Sequence, residues 1–434
     1  MRQGLPLALA LAIASSTAAH AGEPLIFQHG GRPTAEVGAF VARATDAVTV
    51  DYNPAAIARL DGAHYQLGFD YTAPIDKYGS RTGGFEADHL ITESPTLYAT
   101  WHLPADYYPV AFGIGIDHRA WYRTEWGPKL FPARFRTTLQ ELTLWSVHPV
   151  VAYQMGERWS IGGGLRYYTG TVEEGNNAVL QGAAGPQGLD TFHVEVERQA
   201  SADVDGYALD LGLHYGAESW GWGLVLDSGG KVKGNGKVSY FARDVPNDPL
   251  VRSNLDSRLR HSSTRQSFEL PRELRSGMWL AFSPAWRLEL DLAWAEWSTV
   301  DATTVAYSAD PFLSQASEPP PATEVRPRQW KDTLSTRLGS DFDLGEHWGV
   351  AAGVAWEPSP VPDSTVEPGF PRSDAIVYGL GMTYRINRVV FDLGYSYYQY
   401  SRRHAAGQEA LAPTVTSSYQ ARDQVFAFSA SFHR

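Results

Sequence analysis

The chain of 434 residues contains no cysteine. Disulfides and thiolate metal sites are excluded, so a chain of this length must be held together by other means. Positive charge is scarce: 36 Lys and Arg stand against 48 Asp and Glu, a net charge of −12. That balance argues against nucleic acid as a partner. No segment offers 18 consecutive apolar residues, so none reads as a transmembrane helix. No Pro- or Ser-rich linker divides the chain, and no repeat of fixed length stands out. Enzyme signatures are missing as well. The 13 histidines include no H-x-x-x-H or H-E-x-x-H pair, and there is no G-x-S-x-G elbow. Glu195 and Glu197, on an alternating strand, mean only a shared face. Nothing calls for a cofactor or a metal.

What is present begins at the amino end. Arg2 is followed by an apolar run from Leu5 to Ala14 and by the small-x-small site Ala19-His20-Ala21. This is the layout of a secretory signal peptide, expected over residues 1–21. Aromatics make up 12% of the chain, with 14 Trp and 22 Tyr. A membrane-water interface rewards such side chains.

Period-two alternation recurs along the remainder. Trp286, Leu288, Leu290, Leu292 and Trp294 share one face, and Arg287, Glu289, Asp291 and Ala293 the other. Tyr207, Leu209, Leu211, Leu213 and Tyr215 oppose Ala208, Asp210, Gly212 and His214. Trp348 to Trp356 repeats the pattern. Trp or Tyr bounds the apolar face at both ends, about eight residues apart. At about 3.3 Å per residue and a tilt near 40°, that is a rise of about 20 Å, close to the apolar band of an outer-membrane barrel. A soluble sandwich has no reason to place aromatics at both ends of strand after strand.

Fourteen strands are expected, near 64–71, 96–103, 109–118, 137–153, 159–170, 193–215, 220–241, 265–282, 286–298, 328–341, 348–356, 375–384, 389–400 and 423–432. The sixth holds a bend near Asp203. Connections alternate short and long, as periplasmic turns and extracellular loops do. Short ones include Pro104–Tyr108 and Arg385–Arg388; long ones include Thr171–Phe192 and Ala242–Thr264. The fold class is therefore all-β, a 14-stranded antiparallel transmembrane barrel over residues 63–434, likewise expected to be a monomer. Such a barrel encloses more space than inward side chains fill. Residues 22–62 are not strand-like. Ala35 to Ala47 and Pro54 to Leu60 read as short helical pieces around a turn at Tyr52-Asn53-Pro54, with Phe27, Val37, Phe40, Val41, Val48 and Ile57 spaced between. Their low charge points to burial as a plug in the lumen.

At this point the residues resemble a known family, the FadL/TodX-type outer-membrane transporters of long-chain fatty acids and aromatic hydrocarbons. Gly38 to Ala55 is similar to that family's amino-terminal hatch, with Asn53-Pro54-Ala55 as its signature. Arg123 to Gly127, Leu270-Pro271 with Trp286 and Trp297-Ser298, and Trp330-Lys331-Asp332-Thr333 followed by Ser359 to Asp363 keep the same order. The likeness runs from about residue 27 to the end. It implies a hatch-plugged barrel, capture of an apolar molecule by long outer loops, and release through a gap beside a kinked third strand. Gly113 and Gly115 are where that defect is expected, since glycine permits bulges. Two stretches depart from the pattern: Asp117 to Tyr122 after the third strand, and His148-Pro149 on the fourth.

Transport of an apolar solute needs an apolar path, a cation for a carboxylate head, and a gate. The resemblance makes Lys331 the first candidate for the head group, against a solvated loop lysine. Arg119, beside Trp121 and Tyr122, is the second, against a rim charge on lipopolysaccharide phosphates. Phe40, Val41 and Ile57 line the pocket or pack the plug, and Asn53 caps a helix beginning at Pro54. Expected partners are a hydrophobic small molecule, outer-membrane lipid and lipopolysaccharide, and the barrel assembly machinery. The rival reading is a porin with a water-filled channel, which would carry no apolar plug and would constrict its pore with charge rings.

Overall fold

The alternation closes on itself. In a computed structural model the described residues are 28–88, 91–103, 109–127, 129–184, 190–313, 318–407 and 416–434. The expected signal peptide, residues 22–27 and the turn Pro104–Tyr108 lie outside them. Fourteen antiparallel strands form one closed barrel. The first strand, Ala63–Ser80, pairs with the last, Thr416–His433, from His64 opposite His433 to Gly79 opposite Ser418. No helix among the described residues is long and apolar enough to cross a membrane. Closure pairs the first strand with the last, which removes the outer edges that a strand protein in lipid cannot leave open.

The two faces fall as the periodicity demands. Trp286, Leu290, Leu292 and Trp294 point outward and are exposed, while Glu289 and Asp291 between them are buried in the lumen. Tyr207, Leu209 and Leu211 are exposed, and Asp210 and His214 are buried. A water-soluble fold would reverse this placement; a bilayer rewards it.

Several strands run further than the alternation suggests. The fifth, Trp159–Ala184, has 26 residues and the sixth, Asp190–Gly216, has 27. At about 3.3 Å per residue and a tilt near 40°, each rises about 65 Å, more than twice the apolar band of about 25 Å. The stretch 171–184, expected as loop, is strand paired without a break from Thr171 opposite Asp203 to Ala184 opposite Asp190. Consequently no bend interrupts the sixth strand at Asp203. These residues carry no lipid-facing apolar row, because they stand above the membrane, so the hydrophobic signal fades while the hydrogen bonding continues.

The seventh to tenth strands each break where they leave the membrane. The breaks fall between Asp227 and Gly230, between Leu270 and Glu273, at the short helix Trp297–Thr299, and between Pro327 and Thr333. Glu273 opposes both Asp227 and Ala295, and Ala295 opposes Thr333, so the four breaks share one level. Pro271 and Pro327 mark two of them, since proline removes a ladder donor.

Residues 28–60 fill the lumen. Almost every described residue of this segment is buried. It contains the helix Gly31–Ala35, the helical turn Thr49–Tyr52 and the 3-10 turn Ala56–Arg59. The helix expected over Ala35 to Ala47 does not form. Instead the backbone N–H groups of Phe40 and Val41 donate to Asp291 Oδ2 at 2.8 and 3.0 Å, and that of Ala42 to Glu289 Oε1 at 2.8 Å. Wall carboxylates take the place of helical carbonyls.

Candidate functional site

The plug is seated by charge and by missing side chains. Arg43 reaches Glu36 at 2.7 Å within the plug, Glu289 at 2.7 Å, and Asp341 on the tenth strand. One guanidinium thus faces three buried carboxylates. Burial, offset in part by Arg43, pushes the Glu36 carboxyl up to about 8. Asn53 accepts the Ala55 N–H at 3.0 Å and donates to the Val41 carbonyl at 2.9 Å and to Leu213 of the wall at 3.3 Å. A Cβ on Gly212 would lie 2.4 Å from the Asn53 side-chain oxygen, so only glycine admits this contact. The Ala55 carbonyl accepts from Ser160 at 2.8 Å, and Asp51 pairs with Arg166 at 2.8 Å.

Beside the plug the wall is incomplete. The second strand, Thr92–His102, pairs with the first from Thr92 opposite Thr72 to Trp101 opposite Ala63. Its ladder to the third strand, Val110–Glu125, stops at Leu97 opposite Ile116. Among the described residues, the third strand from Asp117 upward is laddered only to the fourth. At the same level a bulge falls between His118 and Ala120, with Arg119 as the extra residue. Below it Ala111, Gly113 and Gly115 are buried; above it Ala120 and Thr124 are. The bulge has exchanged the inward and outward sets. His118 Nδ1 and Ser94 Oγ meet across the gap at 2.7 Å, and the His118 ring lies 3.6 Å from Trp145 and 4.8 Å from Trp121.

Two cavities lie above the plug. The outer one, about 710 Å³ of empty space, is lined by Tyr122, Leu142, Phe268, Trp330 and Phe370, with Glu174, Glu269, Glu367 and Arg328 as its charged residues. Arg328 is already committed to Glu367 at 2.9 Å and to Thr303 at 2.8 Å. Burial raises the Glu367 carboxyl, but the Arg328 and Arg326 charges outweigh it and hold it below its ordinary range. Glu174 is held by Arg326 at 3.0 Å. The inner cavity, about 730 Å³, runs from Gln28 of the plug past Arg372 and Tyr400 to Thr92 and Trp121 at the gap. Tyr122 and Phe370 line both.

The residues singled out in the sequence are scattered through this arrangement. Trp121 lines the inner cavity at the gap. Arg119 is the bulge residue itself, largely buried and paired with Glu273 at 2.9 Å. Lys331 is exposed; its neighbour Trp330 lines the outer cavity and Lys331 does not. Phe40 and Ile57 are fully buried in an apolar cluster with Val48, Val50, Tyr52 and Val150. They pack the plug, and neither they nor Val41 line the two cavities. Gly113 and Gly115 sit in regular ladder, opposite Thr100 and Tyr98; they make room for Val50 and Ile57 of the plug. The irregularity lies higher, inside the stretch Asp117 to Tyr122 that departs from the family pattern. Sequence reasoning passed over His29, Arg328, Glu367 and Phe370. Only the departure itself, His118-Arg119-Ala120, signalled that something in this strand is unusual.

Comparison with known proteins places this geometry. Residues 11–433 match the family described as outer membrane protein transport protein (OMPP1/FadL/TodX). A long-chain fatty acid transport protein of Salmonella typhi is 25% identical over 420 residues, 90% of each chain. One from Escherichia coli O6:H1 is 23% identical over 98% of this chain and 97% of that one. Among solved structures, a Pseudomonas aeruginosa FadL homologue superposes with a TM-score of 0.79 at 16% identity, over 96% of this chain and 100% of the other. The Pseudomonas putida toluene transporter TodX gives 0.70 at 16%, over 95% and 100%.

Proposed function

Since the chain belongs to the OMPP1/FadL/TodX family of outer membrane transport proteins, we propose that it carries small uncharged hydrophobic molecules inward from the cell surface. It is a transport protein of the outer membrane and not an enzyme. The proposal concerns the ligand and its route.

One observation carries it: the charge in the outer cavity. Three glutamates and a single arginine line it, and that arginine is paired with one of the three. A fatty acid carboxylate entering here finds no uncommitted cation in the lining: Arg328 is taken by Glu367, and Arg326 behind it by Glu174. Left without a partner in a site of reduced dielectric, that charge carries a desolvation cost that an uncharged ligand does not. A toluene-like ring or a fatty ester meets only the apolar and aromatic lining. The curated relatives are named for fatty acids and the TodX structure for toluene; the lining favours the uncharged class.

The route is proposed from continuity. Ligand enters the outer cavity, passes between Tyr122 and Phe370, reaches the inner cavity, and leaves past Thr92 and Trp121 through the gap beside the bulge. The seated plug, with its carboxylate-bound backbone, supports this sideways exit over a straight water-filled channel.

Tryptophan fluorescence tests the ligand class, because Trp330 lines the cavity. Methyl laurate is expected to bind the purified protein at least tenfold more tightly than laurate at pH 7.5. Laurate binding tighter than its ester would overturn the proposal.

A further inference from the structure

At the foot of the gap a buried histidine of the plug touches the bulge. His29 Nδ1 lies 2.8 Å from Asp70 Oδ2 of the first strand, and its Nε2 lies 3.0 Å from the backbone carbonyl of His118. A carbonyl only accepts, so Nε2 carries a hydrogen. A carboxylate accepts from Nδ1. Both ring nitrogens therefore donate, and a ring that donates twice is an imidazolium.

The surroundings agree with that charge. Asp117 Oδ1 of the third strand stands 4.0 Å from Nε2. Asp51 of the plug is also close: one ligand atom each of His29, Asp51 and Asp117 lies within 4.8 Å of the others. Two carboxylates besides Asp70 thus stand close to the ring. Every neighbouring element contributes. Tyr98 of the second strand donates to Asp117 at 3.1 Å, Arg166 of the fifth strand pairs with Asp51 at 2.8 Å, and the Tyr52 hydroxyl of the plug accepts the His29 backbone N–H at 3.2 Å. The His118 ring faces away, toward Ser94 and Trp145. Burial disfavours the His29 charge, but the Asp70 hydrogen bond and the charges of Asp117, Asp70 and Asp51 outweigh it and raise the ring to about 9.

We propose that His29 is a positioning residue for transport: its imidazolium clasps the plug to the bulged strand and so fixes the lower edge of the lateral gap. The link is specific in geometry. It joins the plug to a bulged strand that, among the described residues, is laddered at this level on one side. A neutral ring keeps one of the two bonds and releases either the first strand or the bulge. This inference rests on reading the gap as the exit.

Hydrogen exchange of the full chain in detergent, read on peptides covering residues 28–35 and 117–122, tests the clasp without reference to transport. A raised histidine value means that the clasp is fully present below pH 6.5 and is lost as pH rises through about 9. Wild-type protein, corrected for intrinsic exchange rates, should lose protection of these peptides over that range. His29→Gln should exchange about tenfold faster already at pH 7 and show no such dependence, while His29→Lys, a permanent cation, should recover part of the protection. Protection of the wild type that does not change between pH 6.5 and 9.5 overturns the clasp, whether or not the variants fold. Uptake of an uncharged probe is followed in parallel. Exchange that responds while uptake does not refutes the gap as the exit and leaves the clasp standing.

Discussion

Tyr122 and Phe370 meet edge to face with ring centroids 5.3 Å apart, and both line both cavities. One comes from the third strand above the bulge, the other from the connection between the eleventh and twelfth strands. On the proposed route the pair is the partition a ligand crosses. Because the bulge exchanges the faces of the third strand, it also aims Tyr122 into this partition.

Tyr122→Ala should open the passage. An edge-to-face pair contributes about 1 kcal/mol beyond area burial, so uptake of a ligand wider than toluene should rise about fivefold. Competition between toluene and a naphthalene-sized ring in whole-cell uptake reads the change. Equal rates in the wild type and the variant would remove the pair from the path.

Releasing Arg328 should reverse the ligand preference. In Glu367→Gln the guanidinium keeps its place at the cavity but loses its carboxylate. Laurate binding should improve about tenfold relative to methyl laurate, because only the anion can form a charge-assisted hydrogen bond with the freed guanidinium. Fluorescence titration at pH 7.5 measures the ratio, and an unchanged ratio counts against charge as the basis of selection.

The plug should depend on Arg43 more than on any apolar residue it buries. Arg43→Met leaves Glu36, Glu289 and Asp341 buried without their shared cation. Removing one partner of such a group costs about 3–5 kcal/mol. Planar-bilayer recordings should show the variant leaking ions while the wild type stays closed. Arg43→Lys, which keeps charge but loses the fork, should fall between them.

The wall glycines make an independent steric prediction. Gly212→Val places a branched side chain against the Asn53 side-chain oxygen and the Ala55 backbone. The barrel should still assemble, since strand pairing tolerates valine. The plug should fail to seat, and protease added at the periplasmic side should cut within residues 28–62. Resistance equal to the wild type would show that the contact has slack.

Much of this was legible in the sequence, for a physical reason. Lipid forces the alternation at Trp286 to Trp294 and Tyr207 to Tyr215, so strand number and facing could be read from side chains alone. The burial of Phe40, Val48 and Ile57 followed from apolar residues with no strand period. Legibility failed where lipid no longer dictates. Residues 171–184 pair as strand above the membrane, where no greasy row is required. Phe40 to Ala42 forgo a helix because Asp291 and Glu289, about 250 residues away in the chain, accept their N–H groups. Glycine permits a wall defect, but Gly113 and Gly115 serve close approach of the plug, and the bulge falls on Arg119. Lys331 was drawn from resemblance; it stands exposed, outside the lining of the outer cavity.

The most direct test of the central claim is uptake by a Gram-negative host that lacks its own transporters of this kind. Expression of the protein should restore uptake of toluene and methyl laurate, leave laurate uptake near background, and add no steady ion conductance to isolated outer membranes. Selective uptake of laurate, or an open ion channel in the unmodified protein, would contradict it.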